Sequence, residues 1–203
     1  KISPQGEVMG ILPGSRMQEI KHHLPVMLRV ARILKSQRPS LQFLVSIASP
    51  IFKPEILIII ESVGADIGIV EENTYDLLNV SDLVLLSSGT ATLEASIFRK
   101  PMVIVYKFNP LSWLAAKMLI HLPYVSMPNI IAGRKILPEF IEWDFTEKKL
   151  VPYILHLLDN PTEMKNMSRD LEEVVQKLGE PGALKRAAEI VLQTFKNFKD
   201  ASV

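Results

Sequence analysis

The 203-residue chain is 48% hydrophobic and 22% charged, with a formal net charge of +1. That balance suits one compact domain with appended helices, and it leaves no strong field to draw the chain to nucleic acid. Cysteine is absent and the four histidines (His22, His23, His121 and His156) lack HExxH-type spacing, which removes disulfides, thiol catalysis and zinc from the reading.

The chain opens on Lys1 rather than Met, which reads as a cut within a longer protein, and no signal peptide is visible. Val8 to Leu12 is a fully apolar strand ended by Pro13-Gly14. Ser15 and Gln18 then stand in capping-box register. Ile20, Leu24, Met27, Leu28, Ala31 and Leu34 repeat at helical spacing, with Pro25 predicting a kink or a second helix. Leu41 to Ile47 reads as the second strand and Pro54 to Ser62 as a helix. Ile67 to Val70 is a strand, followed by a short helix over Thr74 to Val80 with Thr74 as its cap. Leu83 to Leu86 is a strand, Thr90 to Phe98 a helix, and Met102 to Tyr106 the last strand. Strands alternating with helices predict an α/β fold, a Rossmann-like and mostly parallel sheet flanked by helices.

After Tyr106 the pattern changes. Residues 110–120 form an amphipathic segment with Trp113 and Lys117, and the apolar run from Leu111 to Leu122 is too interrupted to span a bilayer. Packing against another domain explains it better than a membrane surface does. His121 to Pro138 is loop-rich. The tail from Thr146 to Phe198 divides into three helices at Pro161 and at Gly179 to Gly182. The expected layout is a Rossmann-like domain over 1–145 with a helical extension over 146–203 packed on it.

Two turns carry the candidate chemistry. At the end of the first strand, Gly14 permits close backbone approach, Ser15 caps or donates, and Arg16 offers a fork of donors suited to phosphate. The spacing is neither a P-loop nor a dinucleotide fingerprint. At the end of the fourth strand, Ser87-Ser88-Gly89-Thr90 opens a short helix carrying Glu94. Backbone N–H groups and the hydroxyls of Ser88, Thr90 and Thr92 are donors there, and Glu94 is a carboxylate for sugar hydroxyls. Both turns lie at the carboxyl ends of parallel strands, where open α/β sheets bind ligands. A nucleoside diphosphate satisfies the pair; capped helices with a surface arginine and a dipole-complementing carboxylate are the alternative. Asn129, between Pro128 and an apolar pair, is a fixed amide that either ties down its own loop or meets a ligand. Tyr106-Lys107 is a further candidate surface. No nucleophile–base pair and no acid–base pair of carboxylates stands out.

Four segments in order, LPGSRMQEI (12–20), SSGTATLEA (87–95), KPMVIVYK (100–107) and YVSMPNIIAGRKILPEFI (124–141), resemble the lipid-A-disaccharide synthase family, inverting glycosyltransferases of the GT-B fold. The resemblance covers essentially the whole chain, but only the C-terminal half of the family's protein. It implies transfer of 2,3-diacylglucosamine from UDP-2,3-diacylglucosamine to 2,3-diacylglucosamine 1-phosphate (lipid X), releasing UDP. No metal or other cofactor is implied. Arg16 matches the family's LPGSR motif and Asn129 its PN[LI][LI]AGR segment, which implies transition-state or substrate contacts. Gly14 and Ser15 belong to the first of these motifs. Ser88, Gly89, Thr90 and Glu94 match SGTATLE, which implies contacts to the UDP part of the donor. The general base is expected from the N-terminal half, and the resemblance implies a cytoplasmic enzyme held peripherally on the inner membrane. One departure is Glu142, where the family usually has glutamine. A UDP-N-acetylglucosamine 2-epimerase, a peptidoglycan-type glycosyltransferase and a non-catalytic nucleotide-binding module are the competing readings.

Overall fold

Five apolar runs form strands where the sequence places them: Val8–Leu12 (β1), Gln42–Ile47 (β2), Gly68–Glu71 (β3), Leu83–Ser87 (β4) and Met102–Tyr106 (β5). The computed structural model describes residues 6–108, 123–180 and 182–200, with the backbone alone for 195–200. A sixth strand, Glu139–Ile141 (β6), extends the sheet beyond the strand read as the last. Its three half-buried residues are too few to show alternation, and pairing with β5 defines it. All pairings are parallel, in the order β3-β2-β1-β4-β5-β6. Every residue of β1 and β4 is buried, so the centre of the sheet is covered on both faces, as an unbroken aliphatic run requires.

The helices are Met17–Gln37 (α1), Lys53–Val63 (α2), Thr74–Val80 (α3), Ala91–Ile97 (α4), Met127–Ala132 (α5), Glu147–Asp159 (α6), Pro161–Leu178 (α7) and Ala183–Asp200 (α8). Gly10 lets α3 come close to β1: a Cβ there would lie 2.6 Å from Leu77 and 2.5 Å from the Ser81 hydroxyl. Three expectations change. Helix α1 runs unbroken through Pro25 rather than splitting in two. The hydrogen bond lost is the one to the carbonyl of Lys21, an exposed residue, while Ile20, Leu24, Met27, Leu28 and Ala31 pack in the core and hold the helix together. Helix α3 is capped by Asn73, whose side chain accepts from the Asp76 N–H, and not by Thr74. Helix α5 interrupts the stretch read as loop, with Pro128 in its first turn and Gly133 closing it at a φ of 71°.

Helices α6 and α7 bury Leu150, Ile154, Leu157, Met167 and Leu171 in the same core as the sheet. Helix α8 is exposed from Ala183 to Thr194, including Leu184, Ile190, Val191 and Leu192. The amphipathic segment expected over 110–120 lies outside the described residues. Among the described residues, no helix is long and apolar enough to cross a membrane.

A buried histidine ties the central strands to α1. His23 is fully buried; its Nδ1 lies 3.1 Å from the Pro13 carbonyl, and its Nε2 lies 3.1 Å from the Lys107 N–H. An N–H aimed at Nε2 requires that nitrogen to accept, so the ring is neutral with its proton on Nδ1. The imidazole thereby links the chain just after β1 to the chain just after β5, and it packs against Tyr106 and Phe145. Burial pushes its pKa below the ordinary 6.5. The unfolded chain therefore binds a proton that the folded chain resists, and this part of the stability, present above about pH 6.5, is lost as pH falls. Urea midpoints should decline as pH is lowered from about 7.5 to 5.5, and His23→Gln should flatten that decline. His23→Phe should cost roughly 1–3 kcal/mol at neutral pH by leaving the Pro13 and Lys107 backbone groups unpaired.

Candidate functional site

The first turn is shaped by Gly14 and Glu19. Gly14 has a φ of 122°, and a Cβ there would lie 2.5 Å from Glu19 Oε2 and 2.8 Å from Glu19 Cβ. Both the backbone angle and the space exclude any larger residue. Glu19 folds back over this glycine, accepting from the Ser15 N–H at 3.1 Å and from Arg16 Nη1 at 2.9 Å. The Ser15–Gln18 capping box therefore does not form. With α1 beginning at Met17, the third helical position is Glu19, and its carboxylate is the stronger acceptor. Arg16 is largely exposed, and among the described residues its guanidinium is held by Glu19 alone. Burial, and then the Glu19 carboxylate, push the pKa of the Tyr106 phenol up, while Arg16 opposes them.

The second turn follows β4. Thr92, expected as a ligand donor, is fully buried and donates its hydroxyl to the Gly89 carbonyl at 2.6 Å, closing the turn. The Ser88 hydroxyl donates to the Val125 carbonyl at 3.3 Å. Thr90 is exposed and Glu94 half-buried. Gly89 differs from Gly14: a Cβ there meets nothing within 4 Å, so the protein's own packing does not demand glycine.

The two turns border one cavity of about 200 Å³. Gly14, Ser15, Arg16, Ser88, Gly89, Thr90 and Glu94 all line it, joined by Ser46 from β2, Thr74 from α3, and Ser87 and Glu19. The two turns meet as the sequence predicts, and Glu19, Ser46, Thr74 and Ser87 join them as wall residues that carry no predicted ligand role. The LPGSR turn followed by an acid one helical turn later was the signal available for Glu19.

Asn129 lies elsewhere. It is fully buried and does not line this cavity. Its Oδ1 accepts from the N–H groups of Ile136 and Leu137, both at 2.9 Å, and its Nδ2 donates to the Leu137 carbonyl at 3.0 Å and to Glu139 at 2.8 Å. This is the loop-tying amide, with its hydrogen-bonding capacity used within the protein. Glu139 on β6 is the hub: its carboxylate also accepts from the N–H groups of Val125 and Ser126 and from the Ser126 hydroxyl. Arg134, at the end of the same motif, bridges to Asp170 and Glu173 on α7. The segment from Val125 to Arg134 is thus fastened to β6, to α7 and, through Ser88, to the second turn. Glu142 accepts from the Phe108 N–H, a role that a glutamine carbonyl performs equally well. Lys107 contributes its backbone N–H to His23, and its side chain is exposed.

A separate groove of about 460 Å³ lies on the β6 side, lined by residues that include Lys135, Lys149, Tyr153, Glu163 and Asp170. Burial and the neighbouring Glu163 carboxylate push the Tyr153 phenol up to about 12, so it stays protonated.

A six-stranded parallel sheet with a cavity across the carboxyl ends of β1 and β4 defines a Rossmann-like domain of the kind that makes up half of a GT-B protein. The profile of the lipid-A-disaccharide synthetase family matches residues 1–194, and the chain belongs to that family. The Geobacter sulfurreducens lipid-A-disaccharide synthase is 34% identical over 192 residues, 95% of this chain and 50% of that protein. The Syntrophotalea carbinolica enzyme of the same name is 35% identical over 190 residues, 94% of this chain and 48% of that protein. The chain thus spans about half the length of the curated relatives it matches. Among solved structures, a UDP-N-acetylglucosamine 2-epimerase assigned in Listeria monocytogenes aligns with a TM-score of 0.58 at 16% identity, over 86% of this chain and 44% of that one. The C-terminal CMP-Kdo binding domain of WaaA from Acinetobacter baumannii aligns with a TM-score of 0.58 at 12% identity, over 85% of this chain and 91% of that one. At these identities the likeness is one of fold.

The Asn129 network generates a direct prediction. Asn129→Ala should cost about 3 kcal/mol by orphaning two buried N–H groups and a carbonyl, and Asn129→Asp should be no milder because it sets a second carboxylate against Glu139. Urea unfolding of the two variants checks this. An Asn129→Ala chain with wild-type stability contradicts the positioning role.

Proposed function

We propose that this chain is the UDP-donor half of a lipid A disaccharide synthase, which transfers 2,3-diacylglucosamine from UDP-2,3-diacylglucosamine to lipid X with inversion. The observation that carries the proposal is the convergence of the Gly14–Arg16 and Ser88–Thr90 turns on one cavity with Glu94 at its wall. In this reading the acceptor 6-hydroxyl attacks the anomeric carbon from the face opposite UDP. The bond from that carbon to the diphosphate oxygen breaks, and UDP leaves with the electron pair. Arg16 and the backbone N–H groups of the two turns meet the charge that develops on the diphosphate, and Glu94 takes the ribose hydroxyls. The base that accepts the hydroxyl proton comes from the N-terminal half. Asn129 serves the site by fixing the loop beside the second turn, through Glu139 and Val125.

Several observations support this. Gly89 leaves open space beside the cavity where its own packing needs none, which suits close approach of a ligand to the backbone. Solved neighbours of the fold include a Staphylococcus aureus MnaA structure with UDP and a Neisseria meningitidis 2-epimerase bound to UDP-GlcNAc. The family match favours the synthase over the epimerase reading. Peripheral attachment to the cytoplasmic face of the inner membrane belongs to the same proposal, as the lipid substrates require.

Titration calorimetry of the chain with UDP, with ADP and GDP as controls, tests the donor-site role. Saturable UDP-selective binding is expected, with Arg16→Ala and Glu94→Ala each weakening it roughly tenfold. Undiminished affinity in both folded variants contradicts the assignment.

A further inference from the structure

Ser87 ends β4 and lines the cavity, yet the protein leaves its hydroxyl without a partner. The residue is 4% exposed, and its Oγ is the one fully buried side-chain polar atom among the described residues that makes no hydrogen bond. Three other buried hydroxyls are satisfied locally. Ser81 donates to the Leu77 carbonyl, Ser96 to the Thr92 carbonyl and Thr92 to the Gly89 carbonyl, each at 2.6 Å. These three sit in or beside helices, where a carbonyl one turn back is within reach. Ser87 is on a strand and has no such neighbour. A buried hydroxyl without a partner costs folding free energy; the residue borders the cavity while its Oγ is closed to solvent, so a rotation about the Cα–Cβ bond as a ligand enters would give it a partner from outside the chain.

The charges on the walls indicate what that partner needs. Arg16 is the one cation among the described residues lining the cavity, and it is already paired with Glu19 at 2.9 Å. Glu94 adds a second carboxylate. The net charge of the described walls therefore does not hold a diphosphate, and neutral donors must do much of the work. Ser87 is well placed for this. Leu86 pairs with Leu12, which puts Ser87 level with Pro13, beside the turn at Gly14 and just ahead of Gly89. Of these two glycines, Gly89 stands beside open space, with nothing within 4 Å of a Cβ placed there.

We propose that the Ser87 hydroxyl is a buried donor to a phosphate oxygen of the bound nucleoside diphosphate, a contact for which the ligand-free protein gives up stability. This rests on the nucleotide reading above and adds to it a residue whose contribution to binding and contribution to folding have opposite signs.

Ser87→Ala tests both signs. The variant removes only the hydroxyl, so its urea midpoint without ligand should equal or exceed that of the unaltered chain. Its Kd for UDP should rise about tenfold, as expected for a lost hydrogen bond to a charged group. The ³¹P resonances of UDP bound to the variant should differ from those of UDP bound to the unaltered chain. Undiminished UDP affinity, unchanged ³¹P shifts at saturation, or a ligand-free variant that has lost stability each overturns the Ser87 assignment while leaving the nucleotide site intact. An unaltered chain that binds no UDP removes the nucleotide reading itself, and the Ser87 contact with it.

Discussion

The parallel pairing of β1 with β4 is the constraint on which the cavity depends. Chain order winds outward from β1 to β2 and β3 on one side, and from β4 to β5 and β6 on the other. The reversal falls between β1 and β4, and there the turns after the two strands lie side by side. Aliphatic burial holds that pairing: Met9, Ile11, Leu83, Val84, Leu85 and Leu86 are wholly inaccessible to solvent. Each such side chain contributes about 1.5–3 kcal/mol when fully buried, so a slip in register is heavily penalised.

Polar devices then set the turns on this apolar frame. His23 joins the chain after β1 to the chain after β5. Glu19 fixes Ser15 and Arg16 from within α1. Glu139 and Asn129 fasten the loop that accepts from Ser88. Among the described residues the Ser87 hydroxyl is the one fully buried side-chain polar atom left unpaired, and that makes it informative. Stability is sacrificed at one atom, at the place where a ligand is expected.

Much of this was legible in the sequence where a physical signal was long enough to read. The runs at 8–12, 83–86 and 102–106 hold no charged residue and are mostly aliphatic, and they form the strands β1, β4 and β5. The two candidate turns were visible because Pro13-Gly14 and Ser88-Gly89 interrupt strong patterns. Short elements were not legible: β6 has three residues and α5 has six, below the length at which a period declares itself. Side-chain allegiance was not legible either. Thr92 read as a donor to a ligand, but its hydroxyl closes its own turn. Asn129 read as either a loop tie or a ligand contact, and the structure has it bonded entirely to protein. His23 gave no hint of its bridging role, because its partners are backbone groups at Pro13 and Lys107, remote in sequence. Pro25 misled in the opposite sense, since tertiary packing of α1 outweighs one missing hydrogen bond.

The proposed nucleoside diphosphate site lies across the ends of β1 and β4. The most direct measurement is a map of backbone amide shifts by ¹⁵N NMR as UDP is added to the labelled chain. The perturbed amides are expected to cluster at Gly14, Ser15 and Arg16 and at Ser87 to Ala91. Shifts that concentrate instead around Tyr153 and Asp170 would place the ligand in the groove beside β6 and contradict that expectation.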